Sequence, residues 1–136
     1  MIKTSTAPYA ALLLRVSLGI MFLAHVYLKI FVFTLPGFVG YFASLGLPAV
    51  LAYAVVALEL FGGIALILGV YAPLVALPLA LEMLGTIVEV HGANGWMFTN
   101  KGGGWEYPAF WTVGLVVLYL LGDGAWALRP TGRVRS

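Results

Sequence analysis

Leu12–Ile30 reads LLLRVSLGIMFLAHVYLKI, an apolar run whose ionisable residues are Arg15, His25 and Lys29. A helix that crosses a lipid bilayer needs about 20 mostly apolar residues, and this run with its apolar flanks is long enough. Three more segments of the chain meet the same requirement. We therefore predict four transmembrane helices, over residues of about 9–33, 48–69, 72–90 and 108–128.

The composition of the whole chain supports its assignment to a membrane. Of its 136 residues, 62% are hydrophobic and 9% are charged, whereas a soluble domain is about half apolar and about a quarter charged. A soluble fold of this length cannot bury so much apolar surface, so the excess must face lipid. The net charge of +2 rests on seven Lys and Arg residues that form no basic stripe, which argues against a nucleic-acid partner. The lack of cysteine excludes disulfides and thiol chemistry.

The fold class follows from the needs of the backbone in lipid. Backbone polar groups there require internal partners, which favours helices, and the sequence lacks the alternating pattern of a membrane barrel. The predicted fold is an all-α membrane protein, a single domain over residues 1–136 that forms an antiparallel bundle of four transmembrane helices. The connection Thr34–Leu47, TLPGFVGYFASLGL, is uncharged and too short to span. We expect it to be a short interfacial or re-entrant segment between helices 1 and 2, and a plain apolar loop is the alternative.

Positive residues predict how the helices are oriented. Lys3, Arg129, Arg133 and Arg135 flank the two termini, whereas Lys101 lies in a connection on the opposite side. Since cytoplasmic loops carry an excess of Lys and Arg, both termini are expected in the cytoplasm. Four spans also require both termini on one side, so two features of the sequence agree.

The connection after the third span, His91–Tyr107, reads HGANGWMFTNKGGGWEY and lies on the outer side in this topology. Its five glycines argue against regular structure, while its aromatic residues argue against a free linker. We expect Trp96, Trp105, Glu106 and Tyr107 to cap the outer mouth of the bundle. The alternative is an aromatic anchor in the headgroup layer.

Ionisable residues inside spans are costly in lipid and usually face the interior of a bundle. The predicted spans contain seven of them: Arg15, His25, Lys29, Glu59, Glu82, Glu89 and Asp123. At about 100° per residue, each span places its polar groups on one stripe. The first two stripes are Arg15, Leu18, Gly19, Phe22, His25 and Lys29, and Ala52, Val55, Glu59, Gly62 and Gly63. The other two are Pro78, Glu82, Gly85, Thr86 and Glu89, and Thr112, Val116, Tyr119 and Asp123. We expect all four stripes to face inward.

Depth along the helices, at about 1.5 Å per residue, divides these residues into groups. Arg15 and Asp123 lie near the cytoplasmic surface, where we expect a structural ion pair. Glu59 and Glu82 fall near the midplane. With both histidines neutral, the spans hold two cations and four carboxylates, so two carboxylates lack a cation. Because like charges in a low-dielectric medium favour proton binding, we expect Glu59 or Glu82 to be protonated at neutral pH.

The residues that we expect to bind a ligand or handle protons are His25, Lys29, Glu59, Glu82, Glu89 and His91. Four of them, the two histidines with Lys29 and Glu89, gather toward the outer surface under the glycine-rich connection. The alternative is that these groups only lock the helices together. The two histidines are a conceivable haem or metal ligand pair, but their spacing requires neither, so we expect no haem and no metal.

Several motifs, taken in order, resemble the DoxX family of membrane proteins. They are the run Leu12–Ile30 with an early arginine and a late histidine and lysine, GFVGYFASLGLP at Gly37–Pro48, a helix with Glu59 followed by two glycines, and GGGWEYP at Gly102–Pro108. The resemblance covers about residues 10–128. It implies a small four-helix protein in the cytoplasmic (inner) membrane of a bacterium or archaeon. It implies no single activity, because relatives include a subunit of an archaeal thiosulfate:quinone oxidoreductase as well as assembly factors.

Three functions are compatible with these features, and whether the chain is an enzyme stays open. The first is a quinone-associated accessory subunit of a membrane oxidoreductase complex, since a quinone needs hydrogen-bond donors and a proton route beside an apolar tunnel. Such a subunit would bind a quinone and carry no covalently bound cofactor. Its electrons would come from a membrane or peripheral redox protein. The second is a non-enzymatic scaffold or assembly factor, because the chain carries no familiar catalytic motif. The third is a small transporter or proton conduit, for which a homo-oligomer would supply room.

Overall fold

The computed structural model describes residues 1–132, so Arg133 and Arg135, which entered the prediction of topology, lie outside the described residues. Five α-helices account for most of the described chain: α1 (Ala7–Tyr27), α2 (Leu35–Ser44), α3 (Ala49–Leu68), α4 (Ala72–Thr86) and α5 (Glu106–Leu121). Residues 1–132 contain no strand beyond one isolated bridge between Val70 and Arg129. The predicted all-α class is therefore confirmed.

Two of the helices change their winding near one end. α1 continues into a π-helical turn, Leu28–Val32, and α4 continues into a second one, Ile87–His91, followed by a 3₁₀ turn. With these extensions, three helical segments are long and apolar enough to cross a membrane: Ala7–Val32, Ala49–Leu68 and Ala72–Asn94. α5 is apolar but has 16 residues, a length of about 24 Å.

The helices run up and down in sequence order. Arg15 near the start of α1 contacts Leu66 near the end of α3, while Lys29 beyond α1 contacts Glu59 in the middle of α3, so these two helices are antiparallel. They approach closely at Gly19, where a Cβ would lie 2.7 Å from the Gly63 carbonyl oxygen. α4 packs mainly against α5. The shared core is formed by Leu18, Phe22, Leu66, Ala76, Leu79, Met83, Trp111, Leu115 and Leu118.

The connection between α1 and α3 is a helix rather than a plain loop. The hydroxyl oxygen of Thr34 accepts a hydrogen bond from the Gly37 N–H and caps α2. Phe38 and Phe42 of α2 are buried, and they pack with residues of α1 and α3, among them Val26. α2 therefore rests against the bundle at the end where α1 finishes.

Burial confirms the predicted inward stripes on α1 and α3 but corrects those on α4 and α5. The buried residues of α4 are Ala72, Pro73, Ala76, Leu79, Ala80 and Met83, and those of α5 are Pro108, Trp111, Thr112, Leu115 and Leu118. On the predicted stripes, Pro78, Gly85, Val116 and Tyr119 are exposed. Both helices carry apolar side chains on all of their faces, so the sequence pattern gives little indication of which face packs against the bundle. The polar face of α4 instead borders a cavity.

The fourth segment ends earlier than predicted. We expected it to reach Leu128, but α5 ends at Leu121. Gly122 (φ 95°) and Gly124 (φ 77°) then take backbone conformations that side-chain-bearing residues rarely adopt. The chain turns back over the end of α3, where the Leu128 N–H donates to the Leu68 carbonyl. This end of the molecule, which also holds Arg15, is called the Arg15 end below.

Candidate functional site

A cavity of about 1030 Å³ lies at the opposite end, between the π-helical turn after α1, α2, the first half of α3 and the second half of α4. We call this the cavity end. Its walls are mostly apolar and aromatic. All six residues predicted to bind a ligand or handle protons line it: His25, Lys29, Glu59, Glu82, Glu89 and His91. Their chemical role stays a prediction, but the structure places them around one space.

Lys29 and Glu59 form the ion pair of the cavity. The Lys29 Nζ lies 2.5 Å from the Glu59 Oε2, and the side chains are 14% and 3% exposed. The ammonium also lies 5.5 Å from the centre of the Phe38 ring, within reach of a cation–π interaction. Lys29 was expected in the outer group with His25, but its four-carbon side chain reaches inward. It therefore neutralises one of the two midplane carboxylates.

Glu82 is the other midplane carboxyl, and it has no such partner. It neighbours Glu59 and Lys29, yet its Oε2 is buried without a hydrogen bond within the described chain. An unpaired buried polar atom costs about 1–3 kcal/mol, so it calls for a proton, a water or a ligand at that position. The third carboxylate that lines the cavity, Glu89, is exposed.

The rings of His25 and Trp111 lie next to each other in the cavity wall, and each carries a further polar group. The His25 Nδ1 lies 2.9 Å from the Met21 carbonyl, which only accepts, so Nδ1 donates and the neutral ring keeps Nε2 as an acceptor. The ring packs edge-on against Trp111, with centres 4.7 Å apart. The Trp111 Nε1 is buried with no partner among residues 1–132. Sequence reasoning missed Trp111, because nothing in an apolar helix distinguishes a tryptophan that packs from one that donates.

His91 uses both ring nitrogens within the protein. Its Nδ1 lies 2.8 Å from the Gly103 carbonyl, and its Nε2 accepts from the Tyr107 hydroxyl at 2.9 Å. The Asn94 side chain donates to the same Gly103 carbonyl. His91 therefore fastens the glycine-rich connection to the start of α5, and in this arrangement neither nitrogen is free for a ligand.

The predicted cap is only partly realised. Tyr107 lines the cavity, but Trp96, Trp105 and Glu106 flank a separate, shallower groove beside α5. The Trp96 and Trp105 rings meet edge to face at 4.5 Å. The cause is the folding of the connection: the Glu106 N–H donates to the Trp96 carbonyl, and the Glu106 carboxylate accepts from the Phe98 N–H. These bonds hold both indoles against the start of α5, away from the cavity.

Arg15 at the other end is held by backbone alone. Its guanidinium donates at 2.7–3.1 Å to the carbonyls of Leu66, Ile67, Asp123 and Ala125. The predicted ion pair between Arg15 and the Asp123 carboxylate is therefore wrong. That carboxylate accepts instead from the N–H and hydroxyl of Thr131. The physical reason is that the last carbonyls of α3 lack helical partners and a guanidinium, with five donors, satisfies several at once.

No group of three or more His, Asp or Glu side chains within residues 1–132 is arranged to hold a metal ion. The cavity offers a different donor set. The Lys29 ammonium is a cation, the Trp111 N–H is a neutral donor, and Glu82 is a carboxyl with one unpaired oxygen. Together with apolar walls, these groups suit a neutral ring that bears carbonyl oxygens.

Comparison with known proteins gives one match. A family model described as DoxX matches residues 10–92, which is more than half of the chain and covers most of α1 and all of α2 to α4. The match ends before the GGGWEYP motif and α5, which the resemblance had included. No curated protein and no solved structure matches the chain.

Proposed function

The chain belongs to the DoxX family of membrane proteins, and we propose that it binds a quinone in its cavity as an accessory subunit of a membrane oxidoreductase complex. Membership of the family and three apolar helices long enough to cross a bilayer support a multi-pass membrane protein. Electrons would come from a partner redox protein in or at the membrane.

Four membrane crossings fit the arrangement of the ends. The Ala125 N–H donates to the Pro8 carbonyl at 2.9 Å, so the segment before α1 and the segment after α5 lie together. Ends on the same side require an even number of crossings, which supports α5 as the proposed fourth. Lys3 and Arg129 belong to this same end, and the positive-inside rule favours its location in the cytoplasm. In this proposed topology the cavity would lie in the outward-facing half of the membrane, with α2 beside it near the interface.

One observation carries the quinone proposal. Within residues 1–132, two buried side-chain polar atoms lack a hydrogen-bond partner, the Glu82 Oε2 and the Trp111 Nε1, and both residues line the cavity. A folded chain pairs nearly all such atoms, so each of these two needs a further partner, such as a water or a ligand. A quinone ring carries two carbonyl oxygens that accept hydrogen bonds. The Trp111 N–H is buried in the cavity wall, so the indole has to turn before it donates to one of them.

The residues divide the work of such a site. A bound quinone supplies reversible uptake of two electrons and two protons. Lys29 places positive charge beside the ring, Glu59 holds Lys29 in position, and Glu82 is an acid within the cavity. His25, with a free Nε2, and Glu89 at the rim give protons a route toward the surface. The apolar walls exclude bulk water.

The test compares two tryptophans. Trp111→Phe removes the indole donor from the cavity and keeps an aromatic ring, and Trp96→Phe makes the same change at the outer groove. We expect Trp111→Phe to weaken equilibrium binding of a quinone by about fivefold, the effect of one hydrogen bond of about 1 kcal/mol. Trp96→Phe should leave the affinity unchanged.

Equal affinities for the wild type and Trp111→Phe would contradict the placement of the ring. Absence of quinone binding to the wild type would contradict the function itself. If the same preparation then retains a membrane protein through purification, the scaffold hypothesis replaces it.

A further inference from the structure

α3 and α4 are in close contact at Gly62 and Leu79, and beyond that level residues of both helices line the cavity. A Cβ at Gly62 would lie 3.1 Å from the Leu79 side chain, which marks close contact near the turn that joins the two helices. One turn further on, Leu58 and Glu82 already line the cavity. Pro78, inside α4, lies where the separation begins, and its missing N–H removes one bond of the helical ladder there. The two helices thus leave a gap between them toward the cavity end.

Both sides of this gap are lined by apolar residues. Its lining residues are Leu51, Ala54 and Leu58 on α3 and Pro78, Leu81 and Gly85 on α4. From Gly62 back to Leu51 the gap runs along about 16 Å of helix. Gly85 has no atom within 4 Å of the position where a Cβ would stand, so the space in front of it is open.

The gap faces the surroundings of the bundle rather than its core. Two of the leucines that line it are exposed, Leu81 by 71% and Leu51 by 40%. Exposed apolar side chains on membrane-crossing helices face lipid. The gap is therefore an opening from the hydrocarbon layer into the cavity, and the Lys29–Glu59 pair lies at its inner end.

From this geometry we infer that the ligand is a quinone with a long apolar tail, which enters from the bilayer between α3 and α4 and keeps its tail there. The inference rests on the proposed function and adds the class of quinone and its path. The ring lies against the polar wall formed by Lys29, Glu82 and Trp111. A water-soluble quinone without a tail would leave the gap between the helices empty.

The size of the cavity supports a two-part ligand. Small-molecule sites are usually about 300–1,000 Å³, and this cavity, at about 1030 Å³, exceeds what a single ring needs. Lys29, Glu59 and Glu82 lie together in its interior, whereas Leu51 and Leu81, which are 40% and 71% exposed, line it on the outer faces of α3 and α4. A ligand with a polar ring and an apolar tail would match these two regions.

Two glycines allow a matched test. Gly85 lines the gap, and Gly40 on α2 does not line the cavity; a Cβ at either meets no atom within 4 Å. Gly85→Phe therefore places a ring in the gap without a clash in the core, and Gly40→Phe controls for a new exposed aromatic. The protein is held in lipid nanodiscs. Two probes share one dimethoxybenzoquinone ring, one with a ten-carbon tail and one with a methyl group, and affinities are expressed per lipid molecule so that partitioning cancels.

We expect the wild type and Gly40→Phe to bind the tailed probe at least about tenfold more tightly than the tailless one. Gly85→Phe should lose that preference and keep the affinity for the tailless probe. Equal affinity of the wild type for both probes overturns the inference and leaves the proposed function standing, as does an equal loss of both probes in Gly85→Phe. If neither probe binds the wild type, the proposed function fails and this inference fails with it.

Discussion

Arg15 and Lys29 are two cations on one stripe of the first span, Ala7–Val32, fourteen residues apart, and their surroundings are opposite in kind. Arg15 is 1% exposed, and four backbone carbonyls surround its guanidinium. Lys29 pairs with a single carboxylate, and the neighbouring Glu82 has an unpaired oxygen. The same sequence signal, a basic residue inside a span, therefore marks a structural fastening at one end and a ligand cavity at the other.

The difference comes from how closely the backbones approach. At the Arg15 end, a Cβ at Gly69 would lie 2.9 Å from the Arg15 Cζ, and one at Gly124 would lie 2.8 Å from the Pro8 carbonyl oxygen. Every polar atom of Arg15 thus has a nearby partner. At the cavity end, α1 and α4 each continue into a π-helical turn. Such turns are rare and often found at functional sites. The helices enclose a cavity at this end instead of packing directly against each other.

The largest effect on stability is expected at Arg15, whose guanidinium binds four backbone carbonyls. Arg15→Met removes all four hydrogen bonds and leaves buried carbonyls without donors, so we expect the free energy of unfolding to fall by about 4 kcal/mol. Denaturant titration of the protein in detergent micelles measures it. Asp123→Asn is the control: Arg15 binds the Asp123 backbone, so this change should cost less than about 1 kcal/mol. A large loss in Asp123→Asn would restore the ion pair that the geometry rejects.

The second effect is expected from the ion pair in the cavity. Lys29→Met leaves the Glu59 carboxylate buried without a cation, and we expect the free energy of unfolding to fall by about 2–3 kcal/mol. The double variant Lys29→Met/Glu59→Gln should recover most of that loss, because no unpaired charge remains. Additive losses in the two single variants and the double variant would show that the pair is not coupled.

The smallest effect on stability is expected at Glu82. Glu82→Leu removes a carboxyl whose Oε2 is buried without a partner and puts an apolar group of similar size in its place. The free energy of unfolding should therefore stay within about 1 kcal/mol of the wild type or rise. Quinone affinity should nevertheless fall by about tenfold. A clear loss of stability with unchanged affinity would make Glu82 a structural residue like Arg15.

Infrared spectroscopy sharpens the same point. Lys29 is the one cation beside the Glu59 and Glu82 carboxyls within residues 1–132. We therefore expect Glu82 to hold a proton at neutral pH. The band of a protonated carboxyl should disappear in Glu82→Gln and persist in Glu59→Gln. A spectrum without such a band in the wild type would mean that both carboxylates are ionised.

Much of the fold could be predicted because its determinants are local. Length and apolarity alone placed the first three spans within a few residues of the observed helices, and the inward stripe on α1 followed from its polar residues. The faces of α4 and α5 could not be predicted, since both helices are apolar all round. The end of α5 at Leu121 depends on two glycines whose positive φ angles are visible only in the folded chain.

The candidate site was predictable as a set of residues but not as an arrangement. The six candidates come together because ionisable groups avoid lipid. Their partners depend on tertiary contacts: Lys29 reaches Glu59, and His91 is bound by Gly103 and Tyr107. Neither the π-helical turns nor the unpaired Trp111 N–H leaves a pattern in the sequence.

The most direct test is an experimental density map of the protein in lipid nanodiscs with a tailed quinone. We expect ring density within hydrogen-bond distance of the Trp111 Nε1 or the Glu82 Oε2, and tail density between α3 and α4. Ring density in the groove beneath Trp96 and Trp105, with the cavity filled only by lipid chains, would contradict it.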